Sequence, residues 1–185
     1  MKLLRNILIG LLILVAVFVL TGFLLPKEMV FQRSIIVNAD KAEVFELISD
    51  FDHFNEFSPW FAMDTLQKTS VSGIPGEPGY CYEWESANAD VGRGRLTRIS
   101  TVPNDSVINE LDLISFKMKS RDEWILEDTV GMVKVTWRYN GSSGNNIILR
   151  YLSLLIDGMM GPVFNSGLNR LKIRSEMLHA YRHKD

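Results

Sequence analysis

The chain has 185 residues, a net charge of −2, 46% hydrophobic residues and one cysteine. Lys2, Arg5 and Lys27 stand apart at the N-terminus, so residues 28–185 alone carry −5, which argues against nucleic acid or anionic headgroups as partners of that region. Cys81 has no second cysteine, which excludes an intramolecular disulfide, and no Cys/His spacing matches a structural zinc site.

In chain order, the first element is Ile7–Leu25, a run without charge in which Thr21 is the sole polar side chain. As a helix it is roughly 28 Å long, about the thickness of a bilayer's hydrocarbon core. A soluble core helix would show a polar face, and this one shows none. The run therefore predicts an uncleaved single-pass anchor over residues 1–27, with Lys2 and Arg5 on the cytoplasmic side. Residues 28–185 then lie outside the inner membrane, in the periplasm of a Gram-negative cell. A cleaved signal peptide is the alternative. Its apolar run would be about 7–15 residues and would end in a small-x-small site, whereas Thr21-Gly22-Phe23-Leu24-Leu25-Pro26 has no clean Ala-x-Ala.

Met29–Val37 reads as a strand, rich in β-branched and aromatic residues. Asn38 or Asp40 can cap the next helix, with Glu43 completing a capping box and Val44, Phe45, Leu47 and Ile48 forming its apolar stripe. Phe51–Phe57 reads as a second short helix stopped by Ser58-Pro59. The period then changes from helical to alternating. Strands are predicted near Thr65–Val71, Gly79–Ser86, Val91–Val102, Ser106–Ile114, Ser120–Glu127 and Met132–Tyr139, separated by Gly/Pro/Asn/Asp-rich turns. Short connections imply an antiparallel meander. Ile147–Ile156 fits either a further strand or the lead-in to a helix. Gly161-Pro162 fits a helix start, after which Phe164, Leu168, Leu171, Ser175 and Leu178 share one face. The order of strand, two helices, six strands and a long helix defines an α+β domain over residues 28–185 whose curved sheet wraps the last helix.

Four strings in this order carry a resemblance. They are Arg33-Ser34-Ile35-Ile36-Val37-Asn38-Ala39 with Val44-Phe45; Phe57-Ser58-Pro59-Trp60; Tyr82-Glu83-Trp84-Glu85 with Gly92-Arg93-Gly94; and Gly161-Pro162-Val163-Phe164-Asn165-Ser166-Gly167-Leu168 with Leu171-Lys172. From Met29 to Leu178 the chain resembles the bacterial polyketide cyclase/dehydrase and lipid-transport (SRPBCC) proteins of the Bet v 1/START-like superfamily. The resemblance implies the helix-grip fold and a hydrophobic cavity between sheet and long helix. It implies no particular reaction, because the fold hosts carriers, sensors and enzymes.

Tyr80, Tyr82 and Trp84 share one strand face, which either lines such a cavity or packs on the last helix. By the resemblance Trp60 falls near the cavity mouth of the helix-grip fold, where an aromatic either gates entry or clasps a ring, or plugs the end of the core. Gly167 and Ser175 on the inward stripe, with the mobile Met159 and Met160, are consistent with some empty space and equally with close packing. Gly92-Arg93-Gly94 lacks the third glycine of a dinucleotide turn and reads as a bend in the sheet. The 73–79 loop has two prolines and no lysine, so it cannot cradle a phosphate as a Walker loop does. His53, His179 and His183 have no Ser or Cys nucleophile beside them in the pattern. Glu83 and Glu85, with Arg93 and Arg95, would form a solvated cross-strand ladder if their strands pair, and Glu110, Asp112, Glu123 and Glu127 fit the same outer pattern. The basic residues Arg170, Lys172, Arg174, Arg182 and Lys184 read as a solvated helix face.

The reading that follows is a membrane-anchored domain that binds a small hydrophobic ligand: a lipid, isoprenoid, quinone or polyketide-like molecule. Expected lining residues are Trp60, Tyr82, Trp84, Trp124, Phe164 and Leu168. No cofactor, metal or nucleic acid is expected. A cyclase or dehydratase acting on an apolar substrate is the second reading, and it requires a buried ionisable group in the cavity. Glu83, Arg93, Arg95 and His53 are the residues to test for that role. A domain with a filled core that docks a protein partner is the third.

Overall fold

The structure is a computed structural model that describes residues 2–184. Helix α1 (Lys2–Leu24) leads through a short connection into strand β1 (Glu28–Val37). Helix α2 (Lys41–Ser49) follows, opened by the Asp40/Glu43 capping box, and then a 3-10 turn at Phe51–His53 and the short helices α3 (Phe54–Phe57) and α4 (Pro59–Met63). Six strands form the meander: β2 (Lys68–Ser72), β3 (Cys81–Glu85), β4 (Arg93–Val102), β5 (Ser106–Leu113), β6 (Met118–Thr129) and β7 (Met132–Ser142). Helices α5 (Ile147–Ser153) and α6 (Ile156–Arg182) complete the order. The antiparallel sheet runs β1-β7-β6-β5-β4-β3-β2, so the first strand closes onto the last, Met29 opposite Gly141.

The sheet's inner face is buried under α6, with α2, α3 and α4 beside it. The contact is set by size complementarity. Gly161, Phe164, Gly167, Leu168, Leu171 and Ser175 form the buried stripe of α6. A Cβ added at Gly167 would lie 2.7 Å from Trp137 Cζ3 and 3.0 Å from Pro59 Cδ, so the missing side chain is what lets the helix rest on the Trp137 ring. Ser175 is fully buried and returns its hydroxyl to the Leu171 carbonyl at 2.8 Å. The small residues on the stripe thus serve close packing.

Four local readings are settled by the structure. Ser58-Pro59 ends α3 as expected, and the same pair opens a further helix that the sequence did not announce: Ser58 accepts the Phe61 N–H through its side chain and starts α4, with Pro59 in the first turn, where its missing donor costs nothing. Ile147–Ile156 is helical lead-in rather than strand, and α6 starts at Ile156, so Pro162 lies inside it. The start is set by an elbow at Leu154-Leu155, where the axis turns by 57°. Gly94 is occupied by a neighbour's ring: it sits opposite Trp84, whose indole fills the space a Cβ would take. Strand β4 also carries a register shift between Arg98 and Ser100, a bulge of the kind that strengthens local twist.

Helix α1 buries only Gly22 and stands clear of the domain core. Its last turns are nevertheless tied to α5. The Tyr151 ring stacks on Phe18 at 4.3 Å, and its hydroxyl donates to the Phe18 carbonyl at 2.8 Å. Arg150 is buried and donates to the carbonyls of Gly22 and Phe23, capping the last turn of α1, and to that of Gly144 in the turn before α5.

Gly167→Leu should lower stability by about 1–3 kcal/mol through overpacking against Trp137 and Pro59. Urea titration of the full chain in detergent measures it. An unchanged midpoint would mean that the close approach is not what seats α6.

Candidate functional site

A row of polar side chains crosses the inner face of the sheet. The ladder places Arg98 opposite Asn109, Asn109 opposite Asp122, and Asp122 opposite Tyr139. Arg98 Nε donates to Asn109 Oδ1 at 2.7 Å, and Asn109 Nδ2 donates to Asp122 Oδ2 at 3.0 Å. Asp122 also accepts the indole N–H groups of Trp124 at 3.1 Å and Trp137 at 2.5 Å. Burial raises the Asp122 carboxyl above the usual aspartate range, against the lowering effect of the Trp137, Asn109 and Trp124 hydrogen bonds and the Arg98 charge. Burial likewise pushes Arg98 down to about 10. Arg98 also reaches the Ser49 carbonyl at the end of α2 and lies over the Phe51 ring.

Beside this row lies a cavity of about 210 Å³ between the sheet, α4 and the start of α6. Its wall is mostly apolar, with Leu96, Leu111, Leu113, Met160, Trp137 and Tyr139 prominent. Of the residues expected from sequence, Trp60, Tyr82, Trp84 and Phe164 line it. Trp124 and Leu168 do not. Trp124 is buried behind the wall, stacked on Trp137 at 4.4 Å, and Leu168 lies one turn further along α6 in the solid core. Tyr82 donates to Asn55 Oδ1 at 2.6 Å, and Trp84 donates to the Val91 carbonyl at 3.3 Å, which fixes both rings. Asp90 and Phe116 are the exposed members of the lining and mark where the cavity opens. Gln67 also lines it, and its buried Oε1 has no hydrogen-bond partner.

The four groups that sequence offered for acid/base work lie elsewhere. Glu83 pairs in register with Arg95 and Glu85 with Arg93, all four exposed on the outer face, and Arg95 turns to Asp112 at 3.6 Å. His53 bonds Glu56 at 2.9 Å outside the cavity. Among the described residues, the carboxyl that does stand in the buried part of the wall is Asp122, with the Tyr82 phenol as a second buried ionisable group. Strand parity carried the signal: Ser120, Asp122, Trp124 and Leu126 alternate with Arg121, Glu123, Ile125 and Glu127, so an inward Trp124 obliges an inward Asp122.

At the far end of α6, Asp40, Glu43, His179 and His183 converge with possible ligand atoms within 4.8 Å of one another. His179 Nδ1 is 2.8 Å from Glu43 Oε2, which also accepts the Asp40 N–H, and His183 Nε2 is 3.3 Å from Asp40 Oδ2. This clasp joins the ends of α2 and α6. Its two imidazoles and two carboxylates are also a donor set that zinc accepts, although nothing in the sequence spacing pointed to it.

A curved sheet gripping one long helix, with an aromatic cavity between them, defines a helix-grip domain. The family described as polyketide cyclase / dehydrase and lipid transport matches residues 37–174, and the chain belongs to it. No curated protein matches the sequence. Among solved structures, the chain is similar to the di-domain ARO/CYC StfQ of the steffimycin biosynthetic pathway (TM-score 0.63, 12% identity, 82% of this chain and 51% of that one). It is also similar to a protein from Thermobifida fusca (0.61, 18% identity, 81% and 95%) and to the Aha1 dimer from Colwellia psychrerythraea (0.54, 13% identity, 80% and 96%). At such identities the likeness concerns the fold.

Asp122→Asn turns an acceptor oxygen into an NH2 group facing indole or amide donors, which should cost about 1–3 kcal/mol. The raised native value means that the folded chain holds this proton more tightly than the unfolded one. That contribution is complete below the ordinary aspartate range and is lost as pH rises through the raised value. The deficit of the variant should therefore narrow as pH rises from about 4, measured by urea unfolding at several pH values. A deficit that widens would contradict the direction.

Proposed function

We propose that the domain binds a small apolar molecule in the cavity beside Asp122. The observation that carries this reading is the cavity itself: about 210 Å³ walled by Trp60, Tyr82, Trp84, Leu96, Leu111 and Phe164. An apolar cavity of about 150 Å³ already takes up benzene, whereas drug-sized ligands fill about 300–1,000 Å³. The size suits one ring system or the end of one chain, not a whole diacyl lipid. Burial supplies the affinity at roughly 25 cal/mol per Å² removed from water, and the free Gln67 oxygen supplies orientation by accepting a hydroxyl or N–H from the ligand. An isoprenoid, quinone-like or polyketide-like ring with such a donor meets both conditions.

The same proposal takes α1 as a retained membrane anchor with its N-terminus cytoplasmic, following Lys2 and Arg5. Two features support it. The helix is long and apolar enough to cross a membrane, with almost none of its surface buried. Its last turns are built into the domain through Arg150 and Tyr151, which a leader removed after export would not be.

A second reading has one observation in its favour: a buried carboxyl in the wall, suited to acid/base chemistry of the cyclase or dehydratase kind. In that case Asp122→Asn would accumulate bound substrate.

Native mass spectrometry of the full chain, released from membranes in mild detergent, tests both. A stoichiometric apolar adduct is expected on the wild type, and its loss is expected in Leu111→Trp, which fills the cavity. An adduct on Asp122→Asn that differs from the wild-type species by one water would favour the enzyme. A clean apo mass, with no uptake from a panel of lipids and quinones, would end the binding proposal.

A further inference from the structure

The elbow between α5 and α6 carries surface that the domain core does not explain. Ile148, Leu152, Leu154, Leu155 and Met159 are 46–65% exposed and adjacent. Between Ile147 and Ile156 the only charge is Arg150. We propose that this elbow is sunk in the membrane beside the end of α1, and that the cavity is loaded sideways from the same leaflet. The inference rests on α1 crossing the membrane and on the cavity binding a ligand.

Depth comes first. Phe18 lies seven residues before Leu25, the end of the apolar run, and so about 10 Å deeper along the helix axis. Tyr151 stacks on Phe18 and bonds its carbonyl, so α5 runs alongside the last two turns of α1. A helix lying in an interface buries its apolar face about 5–10 Å deep. If α1 spans the bilayer, α5 cannot stand in water.

Polar bookkeeping agrees. In hydrocarbon every polar group must find a partner within the protein. Tyr151 donates to the Phe18 carbonyl, and its oxygen is 2.5 Å from Thr21 Oγ1, which itself bonds the Val17 and Phe18 carbonyls. Ser153 bonds the Arg150 carbonyl at 2.7 Å. The Arg150 guanidinium is turned inward onto the Gly22, Phe23 and Gly144 carbonyls. Every polar side chain of α5 is satisfied internally, while its aliphatic ones are left bare. That is the reverse of a water-facing helix.

The sheet register then orients the cavity. Met29, Gly141, Ser120 and Leu111 lie level across four strands, and Ser143 bonds the Lys27 carbonyl where α1 joins the domain. The β5–β6 hairpin, with Phe116 at its tip, therefore projects past that level toward α1's side. Met160, four residues past Ile156, lines the same cavity. Phe116, Met160 and the elbow thus lie at the anchor end of the domain. The ligand class this selects is a molecule dissolved in the bilayer.

The test uses the full chain with Cys81→Ser, in phosphatidylethanolamine/phosphatidylglycerol vesicles. An environment-sensitive fluorophore is placed at Leu152→Cys, Leu155→Cys, Phe116→Cys or, on the far β6–β7 turn, Val130→Cys, where the side chain is 96% exposed. Brominated acyl chains should quench the labels at 152, 155 and 116 several-fold more than the label at 130, and aqueous iodide should do the opposite. Iodide-accessible labels at both 152 and 155 would overturn the elbow insertion. A label at 116 that behaves like that at 130 would overturn sideways loading. Carbonate extraction and the native-mass adduct are read on the same samples. Loss of either one condemns the anchor or the ligand reading, whereas a retained anchor and adduct with water-exposed elbow labels condemns this inference alone.

Discussion

The architecture depends on one buried carboxylate and the two indoles it holds. Asp122 accepts the N–H of Trp124 and of Trp137, and the two rings lie stacked with Phe164 of α6 on the other face of Trp137. Gly167 removes the side chain that would otherwise lift the helix off that stack. A buried carboxylate is tolerated only with partners, and here Asn109 and Arg98 complete the set across neighbouring strands. Because Arg98 also bonds the Ser49 carbonyl, the same row fixes the end of α2 against the sheet. The sheet is therefore held to its helix by this stack, and the cavity is the space left beside it, walled by Asp122, Trp137 and Phe164 on one hand and by Trp60 and Trp84 on the other.

Much of the fold was legible in the sequence because its elements announce themselves through period and punctuation. The seven strands follow the alternation, the Asp40/Glu43 box opens α2, and the stripe from Phe164 through Ser175 is the buried face of α6. What failed was local chemistry overridden by tertiary contact. Pro162 looked like a helix start, but the apolar run before it gains more by continuing as helix, with Ile156 and Met160 against the core. Nothing in Gly92-Arg93-Gly94 signalled that Gly94 is also the floor under a cross-strand tryptophan.

The cavity wall was legible where aromatic residues marked it and illegible where polar ones did. Trp60, Tyr82, Trp84 and Phe164 stand on faces that parity and helical spacing indicate. Asp122 was hidden among the acidic residues of β6, although the parity of Trp124 and Leu126 assigns it inward. Gln67 gave no signal at all, since it lies in the irregular stretch between α4 and β2. Neither the Asp40–Glu43–His179–His183 clasp nor the grip of Arg150 on α1 could be foreseen, because each joins segments more than a hundred residues apart.

That grip has a mechanical consequence. Only residues 25–27 separate α1 from β1, and an extended segment of that length spans about 10 Å. Arg150 and Tyr151 shorten even this, because they fasten the helix end to the domain from more than a hundred residues away in sequence. A domain fastened at two points has no slack. It cannot swing about the end of α1 like a bucket on a rope, so any ligand it took would have to be met at one fixed station beside that helix.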